Sequence, residues 1–145
     1  MLQSNSILNE SQCRKDCFIC TTTGRGNCMS SGVVYHIECN YAHEEGTYVY
    51  RGRTMKNGYS RGKEHLDKYR MKHKDSVLWK HCLEKHDGQN QSFLMKVIDN
   101  HKDDATKVQI KEAIRIREIS DELRMNMRNE WNVVKLPEVN VQWTD

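Results

Sequence analysis

The sequence is short of several things. It has one proline, two phenylalanines and eight glycines in 145 residues. So little proline and glycine excludes collagen-like and low-complexity chains. No sustained heptad is present, which excludes a long coiled coil. No apolar run reaches the roughly 18 residues that a membrane-spanning helix requires. The stretch Met1–Gln12 lacks the apolar segment at the centre of a signal peptide. These absences predict an intracellular chain, nuclear or cytoplasmic, with no membrane partner. What remains is 37% hydrophobic and 30% charged, against about 25% charged residues in an average domain. The length suits one domain, which buries roughly 68–70% of its unfolded surface.

The net charge is 23 − 20 = +3, which distinguishes little. Its distribution is more informative. Residues 51–74 carry nine Lys and Arg against two acids, a local +7. A cluster this dense reads either as a surface for a polyanion or as a solvated helix face.

Six cysteines and seven histidines in an unsecreted chain point to metal rather than to disulfides. Cys13, Cys17, Cys20 and Cys28 lie within 16 residues, among Thr, Gly, Asn and Ser. The segment 13–32 has too few apolar residues to fold by burial, so a crosslink by Zn²⁺ is expected. A Cys₄ zinc site accepts this spacing, and the Cys17–Cys20 pair is its surest part.

The periodicities predict strands at Val33–Cys39, Thr47–Arg51 and Ser92–Ile98. They predict helices from Ser60 to about Lys74, Val77 to about Lys85 and Ala105 to about Arg124. Asn57-Gly58 reads as a turn. Residues 1–12 read as disordered, and Val133–Trp143 as a short strand or a packing arm. The order β-β-α-α-β-α implies an α/β (α+β) sandwich, a mixed or antiparallel sheet with helices over it.

Two patterns carry chemistry. On the last helix Ala105, Val108, Ile116, Ile119 and Leu123 fall within about 80° of one another, with Glu112 in their midst. A carboxylate on a core-facing line is costly unless it is paired or metal-bound. The competing face, Ile110, Ala113 and Ile114, would leave Glu112 at an edge. On the first helix Arg61 and His65 are four residues apart and share a face. Tyr48 and Tyr50 share one face of their strand, and Tyr35 lies on the neighbouring strand.

In order, these pieces are Gly32-Val33-Val34-Tyr35, Tyr50-Arg51-Gly52-Arg53-Thr54, Arg61 with His65, Glu112, and then Asn126. The series resembles the GIY-YIG nuclease family, and within it the endonuclease domain of Penelope-like retroelements. The stretches VVYHIEC, NGYSRGKEH, SVLWKHCLEKHDG, KEAIRIREI and RMNMRNEWN are similar to that subgroup. The likeness runs from about Cys13 to Val139. It implies a three-stranded antiparallel sheet flanked by helices and divides the chain four ways. These are a disordered 1–12, a zinc-binding segment 13–31, a nuclease domain 32–130 and a C-terminal tail 131–145.

The resemblance implies a catalytic set of Tyr35, Tyr50, Arg61, His65, Glu112 and Asn126. Glu112 would be the single ligand of a catalytic Mg²⁺ or Mn²⁺, Arg61 would brace the phosphate, and Tyr50 or His65 would deprotonate water. Free His titrates near 6.5 and Tyr near 10, which makes His65 the easier base at pH 7. Two positions depart from the pattern. Arg51 stands where the family turns an apolar residue into the core, which would weaken the fold locally or mark a decayed copy. Arg53 stands where relatives often carry an acid or Lys. The subgroup also resembles a CCHH zinc pattern. Cys39, His81 and His86 fill three places, and His43 takes the fourth in place of Ala42. Cys82 reads as a buried thiol.

The implied activity is nicking of DNA, which in these elements exposes a 3′-OH for priming. DNA is then the partner, with a reverse transcriptase domain or its RNA as a further candidate. The alternatives are a catalytically inactive zinc-containing nucleic-acid-binding module, and a protein-interaction domain using the tail around Trp131 and Trp143.

Overall fold

The computed structural model describes residues 13, 15–24 and 27–126. Its elements are α1 (Phe18–Thr22), β1 (Ser31–Cys39), β2 (Val49–Asn57), α2 (Gly58–Arg70), α3 (Val77–Lys85), β3 (Phe93–Asn100) and α4 (Ala105–Arg117). A 3₁₀ turn follows at Asp121–Leu123. The strands form one antiparallel sheet in the order β2-β1-β3. The fold is therefore the expected α+β class, a three-stranded sheet flanked by helices with a four-cysteine cluster before it.

β1 is the central strand, and its residues 32–37 are all buried. Burial on both faces explains why its sequence is a continuous apolar run and does not alternate. On one face Tyr35, Ile37 and Met95 pack with Phe18, Leu78 and Phe93. Gly62 lets α2 approach closely, because a Cβ there would lie 3.0 Å from both Phe18 and Met95. The opposite face meets α4, with Val108, Ala113 and Ile116 buried. Ile114 and Ala105 are exposed while Ala113 is buried, so the buried face is Val108, Glu112, Ala113 and Ile116, with Glu112 inside it.

Several boundaries differ from the sequence reading. β2 runs on to Asn57, because its arginines are paired with α4 and do not break the strand. Asn57-Gly58 is not a turn. Asn57 caps α2, its Oδ1 accepting from Ser60 N at 2.8 Å, so Ser60 lies inside the helix. α4 stops at Arg117, and extended backbone at Ser120 leads into the 3₁₀ turn. The segment 13–32 also contributes to the core. α1 was not foreseen, and its Phe18 and Ile19 are almost wholly buried. The tail 131–145 and residues 1–12 lie outside the described residues, with Trp131 and Trp143.

Arg51 does not weaken the fold. Its Nε donates to His36 Nδ1 at 3.0 Å, and its Nη1 to the Arg115 carbonyl at 2.7 Å and Glu118 Oε1 at 2.9 Å. Burial keeps the His36 pKa below its usual value. A neutral ring therefore accepts from Arg51 at Nδ1 and donates to Glu38 from Nε2 at 2.7 Å. A guanidinium with this many acceptors is tolerated where an unpaired one would not be.

Gly32 opens β1 with φ +69°, and a Cβ there would lie 1.7 Å from the Lys102 carbonyl oxygen. Left-handed backbone alone costs a non-glycine residue about 1–2 kcal/mol, and the clash adds to it. Gly32→Ala is expected to lower stability by at least about 2 kcal/mol, seen as a fall of several degrees in the thermal midpoint. An unchanged midpoint would show that the β1–β3 corner relaxes freely.

Candidate active site and metal centres

Three elements, β1, β2 and α2, bring four of the expected residues together. Capping by Asn57 sets the start of α2, and this places Arg61 and His65 on the turn facing β1. Tyr35 is fully buried, and its hydroxyl lies 2.8 Å from His65 Nε2 and 3.1 Å from Arg61 Nε. Tyr50, on the adjacent strand, hydrogen-bonds to Tyr35, and its ring lies edge-on to His65 at 5.5 Å. Arg61 Nη1 is held by Glu64 Oε1 at 2.7 Å.

The electrostatics assign the protons. Burial pushes the Tyr35 phenol up to about 12, although Arg61 pulls it back. Burial, then the Arg61 charge, presses His65 down to about 3. His65 is therefore neutral at pH 7 and a much weaker base than its free value near 6.5 suggests. Arg61 can only donate, so the Tyr35 oxygen accepts there. Its hydrogen is left for His65 Nε2, which fixes the tautomer with hydrogen on Nδ1.

Gly52 was missed as a functional residue. A Cβ at this position would lie 2.7 Å from the Tyr35 hydroxyl. The signal was available in principle, since a lone glycine inside a strand marks a close approach. Glu64 was also missed, because an exposed acid one turn from Arg61 reads as ordinary helix surface.

Glu112 and Asn126 are placed differently from the rest. Side chains alternate across β2, so Tyr50 faces α2 while Arg51 and Arg53 face α4. Glu112 comes from α4 and is bonded at Oε1 by Arg53 Nη1. It thus lies across the strand from Tyr35, near enough for its charge to raise the Tyr35 pKa. Asn126 uses its amide as a strand would: Oδ1 accepts from Arg51 N at 3.1 Å and Nδ2 donates to Arg51 O at 2.7 Å. With both ends of its amide on Arg51, it is a positioning residue that holds the outer edge of β2.

A cleft of about 570 Å³ opens over Tyr50, Arg61, His65 and Asn126, with α3 as its other wall. It is lined by five cationic and four carboxylate side chains, so it is only weakly positive. The basic stretch 51–74 is likewise not one patch. Arg51, Arg53, Lys56, Arg61 and Lys63 are paired with carboxylates. Lys68, Arg70 and Lys74 are exposed around the C-terminal end of α2.

Both expected ligand quartets converge. The sulfurs of Cys13, Cys17, Cys20 and Cys28 lie within 4.8 Å of one another, and so do the ligand atoms of Cys39, His43, His81 and His86. Zn–S bonds of about 2.3 Å in a tetrahedron separate sulfurs by about 3.8 Å. Cys28 Sγ lies 3.4 Å from Cys13 Sγ and 3.5 Å from Cys20 Sγ. These thiols are not disulfide-bonded. Burial pushes Cys28 up to about 12 and raises Cys20 as well, so only a cation would hold them together as thiolates.

In the second group Cys39 Sγ lies 3.6 Å from His86 Nε2, which lies 3.1 Å from His81 Nε2. A tetrahedral zinc sets about 3.6 Å and 3.3 Å for such S–N and N–N edges. His43 Nε2 is buried with no hydrogen-bond partner, as a ligand atom aimed at a metal would be. Burial, with the neighbouring His rings, keeps His81 down at about 4, and burial lowers His86 too. Both therefore offer free lone pairs at neutral pH. His86 follows the end of α3 as its C-cap, which lets it converge with His81. Cys82 is the buried thiol expected, next to the Tyr69 hydroxyl.

No family model, no curated protein and no solved structure matches this chain.

Two predictions come from this geometry. Elemental analysis should give two metal ions per chain, one lost in Cys17→Ser and the other in His43→Ala. A count of one that His43→Ala leaves unchanged would remove the second site. The folded His65 pKa of about 3 lies below the unfolded value near 6.5. Its contribution is therefore whole above pH 6.5 and is lost as pH falls toward 3. Wild type should lose on the order of 1–2 kcal/mol more than His65→Gln between pH 7 and 5. Parallel curves in denaturant would refute the burial of a neutral His65.

Proposed function

We propose that the chain is a metal-dependent DNA endonuclease of the GIY-YIG type, similar to the endonuclease domain of Penelope-like elements, and that it nicks one strand. The observation that carries this reading is the Tyr35 hydroxyl bonded at once to His65 and Arg61 beneath the cleft. Phosphodiester hydrolysis needs a base for water, positive charge at phosphorus and help for the leaving oxygen. Tyr50 lines the cleft and meets the water. As the phenolate it takes the water proton, and Tyr35, bonded to His65 and Arg61, fixes it from behind. Arg61 spends Nε and Nη1 on Tyr35 and Glu64, which aims its Nη2 edge at a phosphate.

Glu112 fits a divalent ion, since a single buried carboxylate is how hard ions such as Mg²⁺ or Mn²⁺ are held, with waters and phosphate completing the shell. Bound there, the ion would supply charge for the leaving oxygen. Zn²⁺ in the Cys₄ group would secure α1, which supports α2 from beneath. Zn²⁺ in the Cys39, His43, His81 and His86 group would join the β1–β2 loop to the α3 wall of the cleft.

The test is nicking of supercoiled plasmid in Mg²⁺ by the intact chain. Glu112→Gln should keep the fold and abolish cleavage. Arg61→Lys should lose about 10²–10³ in rate, because an ammonium cannot bond Tyr35, Glu64 and phosphate together. Gly52→Ala should lose activity by displacing the Tyr35 hydroxyl while leaving both metals bound. Retained nicking by Glu112→Gln would sink the assignment. One observation favours a second reading: the buried Glu112 is already neutralised by Arg53. A wild-type chain that binds DNA with a steep salt dependence but never nicks it would be a zinc-containing nucleic-acid-binding module.

A further inference from the structure

Glu112 is about 9% exposed, on the stripe of α4 that also carries Val108 and Ile116. A carboxylate this buried is stabilised by a cation, and Arg53 is bonded to it. Arg115 of the same helix is not available as a substitute, because it is held by Asp99 and Glu118. The Arg53 side chain itself is 38% exposed and stands on the edge strand β2. It can therefore leave toward solvent without disturbing the core.

We infer that Arg53 is a place-holder on Glu112, displaced by the divalent ion and passing then to a DNA phosphate. The inference rests on the nuclease reading above. Arg53 holds one of the two Glu112 oxygens, and a guanidinium and a divalent ion repel each other at one carboxylate. Metal binding without DNA would therefore turn Arg53 out to solvent with no anion beside it. A phosphate backbone running from the cleft over the edge strand β2 would offer Arg53 a new anion. DNA and metal then each remove the obstacle to the other, and their affinities rise together, as linkage requires. The site would load its ion chiefly when substrate is present.

The test uses the intact chain with its cysteine and histidine sites loaded with zinc. Mn²⁺ is titrated without DNA and followed by the EPR signal of the free ion. Arg53→Gln and Arg53→Met should bind Mn²⁺ about tenfold more tightly than wild type. Loss of the ion pair should also lower their melting temperatures, and Mn²⁺ should raise these more than it raises that of wild type. In a second arm, Ca²⁺ replaces Mn²⁺ to keep the strand whole. It should tighten a short DNA duplex on wild type and do so less on Arg53→Gln. If Glu112→Gln leaves Mn²⁺ binding unchanged, Glu112 is no metal ligand, and the nuclease reading fails with this one. If Glu112→Gln abolishes binding while the Arg53 variants bind no more tightly than wild type, the place-holder alone is overturned. Equal Ca²⁺ effects on wild type and Arg53→Gln would overturn the transfer to phosphate.

Discussion

Tyr35 has no exposed surface, yet its hydroxyl meets His65, Arg61 and Tyr50 at one point. A buried phenol must find partners or lose the value of its burial. Here the partners come from β2 and α2, so satisfying one oxygen fixes the helix against the sheet. The other features follow from that demand. Gly52 leaves room for the hydroxyl, Asn57 starts α2 where Arg61 and His65 can reach it, and Glu64 steadies the guanidinium from outside. The packing that holds the helix on the sheet also keeps His65 neutral, through burial and the adjacent Arg61 charge.

The cysteine and histidine clusters address a different shortage. The main core is built on one sheet face only, and the chain has few large apolar residues. α1 has five residues, too few to be a stable helix by itself. It is held by Phe18 and Ile19 from within and by the thiols before, within and after it. At the other end of β1, Cys39 and His43 reach across to His81 and His86 on and after α3. The first cluster thus closes the N-terminal segment on itself, and the second ties the β1–β2 loop to α3, which carries part of the cleft. Neutral thiols and neutral imidazoles at these distances are poor packing partners, and a metal ion turns each crowd into a bonded group.

Much of this was legible, and the limits have physical causes. The strand at β1 stood out because burial on both faces demands an apolar run. The two quartets could be named because ligand identity is carried by residue type, although the convergence of Cys39 with His86, 47 residues away, needed the family pattern. Asn57-Gly58 misled because the same pair that makes a turn also caps a helix, and only the hydrogen bond to Ser60 N separates the two. Arg51 looked like a defect because its acceptors lie on other elements, at His36, Arg115 and Glu118. The basic stretch looked like one patch because ion pairing is invisible along the chain. His65 looked like a base because its free pKa takes no account of burial beside a guanidinium.

The placement of Glu112 explains why the site sits where it does. Tyr35 and Glu112 approach β2 from opposite faces, and an inner strand would keep such groups apart. β2 is the edge of the sheet, and at Gly52 it has no side chain between them. A sheet edge is ordinarily a liability, because its free backbone groups invite pairing with other chains. Here part of that edge is closed by Met125 N, which donates to the Val49 carbonyl, and by the Asn126 amide on Arg51. Closure by a short segment and one side chain protects the edge without adding a full strand. A fourth strand in that position would bury the rim of β2, across which, on the proposed nuclease reading, a phosphodiester would reach Tyr50 from one face and Glu112 from the other. The role of Asn126 is therefore to close the edge just enough: it holds the strand that carries Tyr50 and leaves the rim beyond Arg51 thin.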